Sequence, residues 1–277
     1  MEVLTMNNWT ITALYYGQLT LAPSAFGGLD TDLKVDFPFT GFLLRNGTEN
    51  VLVDTGMKES YFEQMAIGDV NPVGSTQLLL DALAEEGLTP ADIDTVIYTH
   101  LHYDHMGNMD LFPDAVTYVQ RKEYENMMHP LPFQNARMDY FPDAPEQFKK
   151  LKHVIFVDGD LTLPNGLELF LTPGHSLGGQ SIVVPTAKGR YVLTGDIPSA
   201  KYALFPETDH IVQMDGSVVN ITPLTDGSLT FLEGQFNNDW FSAYSSHYKQ
   251  LAKAEKPIPE YLIPSHEPEN IYRKHFG

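Results

Sequence analysis

The chain has 277 residues, no cysteine, and 36 acidic against 17 basic side chains, a formal net charge of −19 at pH 7. That balance repels phosphate backbones and leaves no basic stripe for nucleic acid. Without cysteine there are no disulfides, no thiolate chemistry and no Cys-held zinc, so zinc would need histidine and carboxylate ligands.

With 43% hydrophobic residues a large core is available, and one domain over residues 1–277 is the expectation. The start, "MEVLTMNNWT", has no basic segment or apolar stretch of a leader, and the apolar runs are too short to span a bilayer. A cytoplasmic protein without a membrane partner is expected.

In chain order, strand-like runs occur at "WTITALYY", "FTGFLLR" and "NVLVDTG". Leucines at helical spacing follow in "GSTQLLLDALAEEGLTPADI", where Gly87 is suited to stop the helix. "TVIYTH" and "AVTYV" read as strands, "RKEYENMMH" as a short helix, and "HVIFVDG", "LELFLTPGH", "SIVVP" and "YVLTGD" as further strands. Residues 204–238 are rich in turn residues and weakly periodic, which predicts an insertion or lid, a hairpin with flanking loops. "DWFSAYSSHYKQLAKAEK", closed by Pro257, is a helix, and "EYLIPSH" a last strand. Many strands with interspersed helices indicate a layered α/β domain.

Four of these runs end in a residue able to bind metal: His100, His175, Asp196 and His266. Strand ends are where α/β folds present side chains on a fixed frame. In "THLHYDHMGN", His100 and His102 stand two apart and share one face of an extended chain, with Asp104 and His105 next. Two pairs result, each short of ligands for a tetrahedral ion. His175 can complete the first, His266 the second, and Asp196 can bridge. Nitrogen and oxygen ligands suit zinc, and also manganese, iron or cobalt. His129, His153, His210, His247 and His275 read as surface or satisfied core histidines.

"HLHYDH" resembles the H-x-H-x-D-H signature of the metallo-β-lactamase superfamily, and "VLVDTGM", "TPGHSLGGQS", "LTGD" and a late "SH" follow that family's order. The resemblance implies an αββα sandwich, two mixed β-sheets flanked by helices, with a dinuclear metal site at one edge. Carried over by position, His100, His102 and His175 hold one ion, Asp104, His105 and His266 the other, and Asp196 bridges. Asp54 matches an upstream aspartate that supports the ligands. His102 stands where the diiron, oxygen-reducing branch has glutamate, which favours hydrolysis.

The motifs are most similar to those of the N-acyl homoserine lactonase-like branch. The implied chemistry opens a lactone or ester by attack of a hydroxide shared between two divalent ions, zinc first among them, with Asp104 also able to accept a proton. One departure is visible: that branch has a tyrosine three residues after the bridging aspartate, and here the position is Ser199. Tyr202 is the nearest tyrosine and becomes the candidate hydrogen-bond donor. A glyoxalase II-like thioesterase and a metal-binding sensor are the alternatives, and seven intact ligand positions favour an enzyme over a sensor. The aromatics in "NNDWFSAY" and "MDYFPDAPEQF" are candidates for a cavity wall, a homodimer contact or core packing.

Overall fold

The computed structural model describes residues 8–62, 72–225 and 231–277. Its central strands carry buried side chains on successive residues, so both faces of each sheet must be covered there. The first sheet comprises β1 (Thr10–Leu21), β2 (Val35–Arg45), β3 (Asn50–Val53), β4 (Val73–Gly74), β5 (Thr95–Ile97), β6 (Val116–Gln120), β7 (His153–Val157) and β15 (His275–Phe276). Its order is β15-β1-β2-β3-β5-β6-β7, with β4 also paired to β1. Pairing is antiparallel from β15 to β3 and parallel from β3 to β7. The second sheet has the order β14-β11-β10-β9-β8, built from β8 (Leu161–Thr162), β9 (Glu168–Leu171), β10 (Gln180–Thr186), β11 (Gly189–Gly195) and β14 (Leu262–Pro264). Only the β11–β14 pair is parallel in that sheet.

Alternate residues of each strand meet in a shared middle layer. Phe42, Leu44, Val51, Val53 and Ile97 of the first sheet pack with Leu169, Ile182, Leu193 and Ile263 of the second. The intervening residues point outward beneath helices. Leu43, Leu52 and Val96 lie under α2 (Thr76–Glu85), α3 (Tyr103–Met106), α4 (Arg121–Met128) and α6 (Ala144–Phe148). On the opposite side Val183, Val192 and Leu262 lie under α8 (Trp240–Lys253). This is the expected αββα sandwich. The shorter helices α1 (Glu59–Phe62), α5 (Pro132–Arg137), α7 (Lys201–Leu204) and α9 (Glu269–Arg273) sit in connections. Among the described residues no helix is long and apolar enough to cross a membrane.

Within the long segment 204–238, β12 (His210–Val212) and β13 (Val218–Asn220) pair as an antiparallel hairpin, and residues 226–230 lie outside the described residues. Ile211, Ile221 and Leu232 from this segment pack on Phe26, Val35, Phe37 and Tyr202. The segment therefore owns part of a small apolar cluster beside the sandwich.

Leu193 is wholly buried in the middle layer. Leu193→Ala should cost about 2–5 kcal/mol from lost burial and the cavity left behind. A lowered urea midpoint with an unchanged slope would report it.

Candidate active site

The candidate side chains stand at the ends of strands from both sheets. His100 and His102 follow β5, with Asp104 and His105 on α3; His175 follows β9, Asp196 follows β11, and His266 follows β14. Gly195 allows the exit from β11: it has φ of 64°, and a Cβ there would come within 3.0 Å of the Thr99 Cβ. All seven come together as two clusters, His100–His102–His175 and Asp104–His105–Asp196–His266, each with its ligand-type atoms within 4.8 Å of one another.

Asp196 reaches both groups. One of its oxygens, Oδ2, lies 3.5 Å from His175 Nε2 and 2.9 Å from His266 Nε2, while Oδ1 lies 3.3 Å from His105 Nε2. Within the first cluster, His175 Nε2 and His102 Nδ1 are 2.9 Å apart. In the second, Asp104 Oδ2 is 3.6 Å from both His105 Nε2 and His266 Nε2.

A surrounding layer orients these rings. Asp54, wholly buried and held at φ of 61°, accepts hydrogen bonds from the Thr99 N–H at 2.8 Å and the Thr99 hydroxyl at 2.7 Å. Its Oδ2 also lies 2.8 Å from His105 Nδ1. A carboxylate there holds the proton on Nδ1 and turns the Nε2 lone pair toward the cluster. His266 Nδ1 lies 2.7 Å from the Pro38 carbonyl oxygen, which directs its Nε2 inward in the same way. His102 Nε2 faces the Asp139 carboxylate at 3.7 Å.

Glu123, on α4, ties the two sheets together. Its Oε1 accepts the Leu101 N–H and the Tyr140 hydroxyl, each at 3.0 Å, and its Oε2 accepts the Gly178 N–H at 3.0 Å. Gly178 is needed at this contact, since a Cβ would sit 2.2 Å from the Glu123 nitrogen. Thus one carboxylate joins the loop carrying His100 and His102 to the loop carrying His175.

Burial pushes His100 and His102 well below the ordinary histidine range, and neighbouring imidazoles push them further. It also brings His175 down to about 4. These rings are neutral near pH 7, the form that binds metal. The second cluster balances differently. Burial alone would depress His105 and His266, yet Asp196 and Asp104 outweigh it and raise both. Asp196 is correspondingly held well below the carboxylate range, against its burial, by His266 and His105, whereas burial raises Asp104.

The residues fit a pair of divalent ions. His100 Nε2 and His175 Nδ1 are buried polar atoms without a hydrogen-bond partner, and His105 Nε2 and Asp196 Oδ1, though 3.3 Å apart, make no hydrogen bond, a costly condition unless something else satisfies them. All offered atoms are imidazole nitrogens or carboxylate oxygens, donors that suit divalent ions.

Above the clusters lies a cavity of about 260 Å³. One wall is apolar, from Leu19, Leu21, Phe26 and Phe236; Tyr103, Arg137 and Asp139 contribute polar groups. Tyr202, the expected donor, is not among these. Its hydroxyl donates to the Pro23 carbonyl oxygen at 2.9 Å, and its ring packs with Phe26, Val35 and Phe37. Ser199 instead donates its hydroxyl to the Asp196 carbonyl oxygen at 3.2 Å, closing the turn that follows the strand.

Residues 40–201, more than half of the chain, match the family model described as the Metallo-beta-lactamase superfamily. The chain belongs to this superfamily. An N-acyl homoserine lactonase from Bacillus thuringiensis is 30% identical over 207 residues, covering 69% of this chain and 78% of the relative. Human metallo-beta-lactamase domain-containing protein 1 is 34% identical over 151 residues, or 52% of this chain and 48% of that protein. Among solved structures, a B. thuringiensis AiiA variant with N-decanoyl-L-homoserine at its active site has a TM-score of 0.71 at 25% identity, covering 96% and 98% of the two chains. AidC, a dizinc quorum-quenching lactonase, shares the fold at a TM-score of 0.63 and 17% identity, covering 91% of this chain and 85% of its own. These relatives put the chain with the N-acyl homoserine lactonase-like branch of the metallo-beta-lactamase superfamily.

Within this superfamily member, Glu123, Arg137 and Asp139 were not legible as site residues. Glu123 lies in a helix with ordinary charge spacing, and its partners are 17, 22 and 55 positions away. Tyr103 lies inside the "HLHYDH" motif, which was the available signal.

Asp54→Asn replaces one accepting oxygen with an amide N–H that cannot serve the Thr99 or His105 donors. Metal affinity should fall about 10- to 100-fold, read by competition with a chromogenic chelator.

Proposed function

We propose that the chain is a two-metal hydrolase that opens the ring of a lactone, with N-acyl homoserine lactones as the substrate class. The observation that carries this reading is the position of Asp196 between two ligand clusters on the floor of a cavity with one apolar wall. His100, His102 and His175 would hold one ion, Asp104, His105 and His266 the other, with Asp196 bridging. Ions bound there, zinc first and manganese, iron or cobalt by the same donor chemistry, supply a Lewis acid and a water with its pKa lowered to about 7.

The chain's own groups do the rest. Asp104, whose Oδ2 lies 3.6 Å from the Nε2 atoms of His105 and His266, is also placed to accept a proton. Tyr103 replaces Tyr202 as the candidate donor to the departing oxygen. Burial first, then Asp104, Asp139 and Asp196, raise its phenol well above the ordinary range, so it stays protonated. Leu19, Leu21, Phe26 and Phe236 offer the apolar surface an acyl chain needs. The relatives named as N-acyl homoserine lactonases support the substrate class. We read the chain as one domain in which segment 204–238 is an insertion that contributes Phe236 to the cavity.

Metal analysis paired with a panel of short- and long-chain acyl homoserine lactones, thioesters, β-lactams and phosphodiesters tests the reading. Turnover of thioesters alone would favour a glyoxalase II-like enzyme, and two bound metals with no turnover at all would favour a sensor. Asp196→Asn should remove activity and lower metal content together; two metals with full turnover would end the bridging assignment. Tyr103→Phe should keep both metals and lower kcat on the order of 100-fold, as expected for a lost proton donor.

A further inference from the structure

Arg137 ends α5, and Met138 follows at φ of 62°, reversing the chain so that Asp139 returns alongside the arginine. The guanidinium is fixed on one edge. Its Nε and Nη2 donate to the two Asp139 oxygens, each at 2.6 Å, and Nη2 also donates to Asn238 Oδ1 at 2.8 Å. Asp139 is buried and in turn faces His102 Nε2 at 3.7 Å. Three of the five guanidinium N–H groups are thereby used. The two on Nη1 have no hydrogen-bond partner among the described residues. Arg137 lines the cavity over the two clusters, and no other lysine or arginine among the described residues does so.

We propose that Arg137 is a specificity-determining residue whose free Nη1 edge binds a neutral hydrogen-bond acceptor next to the scissile carbonyl, the amide carbonyl of an N-acyl lactone. The inference rests on the lactonase reading and deepens it. A fork already clamped on one side loses little freedom when its other side binds. Asp139 neutralises the guanidinium locally, and Asp104 and Asp196 line the same cavity. A neutral carbonyl therefore suits the free edge better than a further carboxylate. In an N-acyl homoserine lactone the amide carbon is three bonds from the ring carbonyl carbon. Arg137 and the His102 imidazole line the same cavity, with the Asp139 carboxylate between them. A site built to donate to such an oxygen disfavours the analogue that lacks it.

The metal-loaded protein is assayed on an N-acyl homoserine lactone, an α-alkyl-γ-butyrolactone of matched length without the amide, and a lactone carrying a carboxylate in its place. The readout is the ratio of kcat/KM between substrates, with metal content measured alongside. For Arg137→Met, the preference for the N-acyl over the amide-free lactone should fall roughly 10- to 100-fold, mainly through KM. Arg137→Lys keeps a positive charge beside Asp139 but has no second edge, so it should lose the preference while retaining two metals. Equal losses on all substrates, with metal lost, would make Arg137 a support for Asp139 alone and overturn the inference. So would an unchanged ratio, or a wild-type preference for the carboxylate-bearing lactone that Arg137→Met abolishes. A wild-type protein inert toward every lactone would remove the lactonase reading and this inference with it, an outcome distinct from the others.

Discussion

A buried carboxylate, Glu123, ties together the corner where the two sheets meet and where all seven clustered side chains stand. The first sheet delivers His100, His102, Asp104 and His105, and the second delivers His175, Asp196 and His266. Hydrophobic contact between sheets has no preferred register at the level of a few tenths of an ångström, whereas hydrogen bonds do. Glu123 supplies that registration by accepting N–H groups from Leu101 and Gly178, one on each side. Gln180 adds to it, donating its backbone N–H to the Thr99 carbonyl and its side-chain N–H to that of Tyr98, both at 2.8 Å. The corner is thus tied by polar bonds in a dry environment, where each is strong and each unmade one is costly.

The two clusters are electrostatically unequal, and the inequality follows from residue type. The three imidazoles of the first cluster remain neutral because burial, with mutual repulsion, outweighs the pull of the carboxylates beside them. Two imidazoles between Asp104 and Asp196 are drawn toward the protonated form. Asp196 contacts both groups, so its placement couples them. The chain's overall charge of −19 is a separate matter, spread over the surface, and explains none of this local balance.

Much of the frame was legible in the sequence because it rests on short-range pattern. Consecutive apolar residues ending in His100, His175, Asp196 or His266 mark doubly covered strands that terminate at one edge. The periodicity of "STQLLLDALAEE" locates α2, and that of "DWFSAYSSHYKQLAK" locates α8, where the Asp239 side chain accepts the Phe241 and Ser242 N–H groups. What was not legible depends on long-range geometry. Distance along the chain suggested Tyr202 as the donor, but the turn closed by Ser199 and the start of α7 carry its ring into the cluster with Phe26 and Phe37. Glu123, Asp139 and Arg137 carry no local signature, because their partners are brought to them only by the folded loops. Strand β2 extends upstream of the "FTGFLLR" run to Val35, since Asp36 and Pro38 interrupt the apolar pattern without interrupting the pairing with β1.

The apolar wall of the cavity joins this polar corner to the segment that departs most from regular structure. Phe26 stacks on the His266 ring with centroids 5.3 Å apart and planes within 5°. It also meets Phe37 edge-on at 4.8 Å and Phe236 at 5.9 Å. One face of Phe26 therefore steadies a ligand-type imidazole while the ring helps to line the cavity. Phe236, by contrast, comes from the segment beyond the hairpin and holds none of the seven clustered side chains. Changes at Phe236 can reshape the wall without removing any of the seven clustered side chains. The sandwich edge, with its buried donors and acceptors, leaves little room for substitution, so variation in what the cavity accepts is most easily carried by Phe236 and its neighbours.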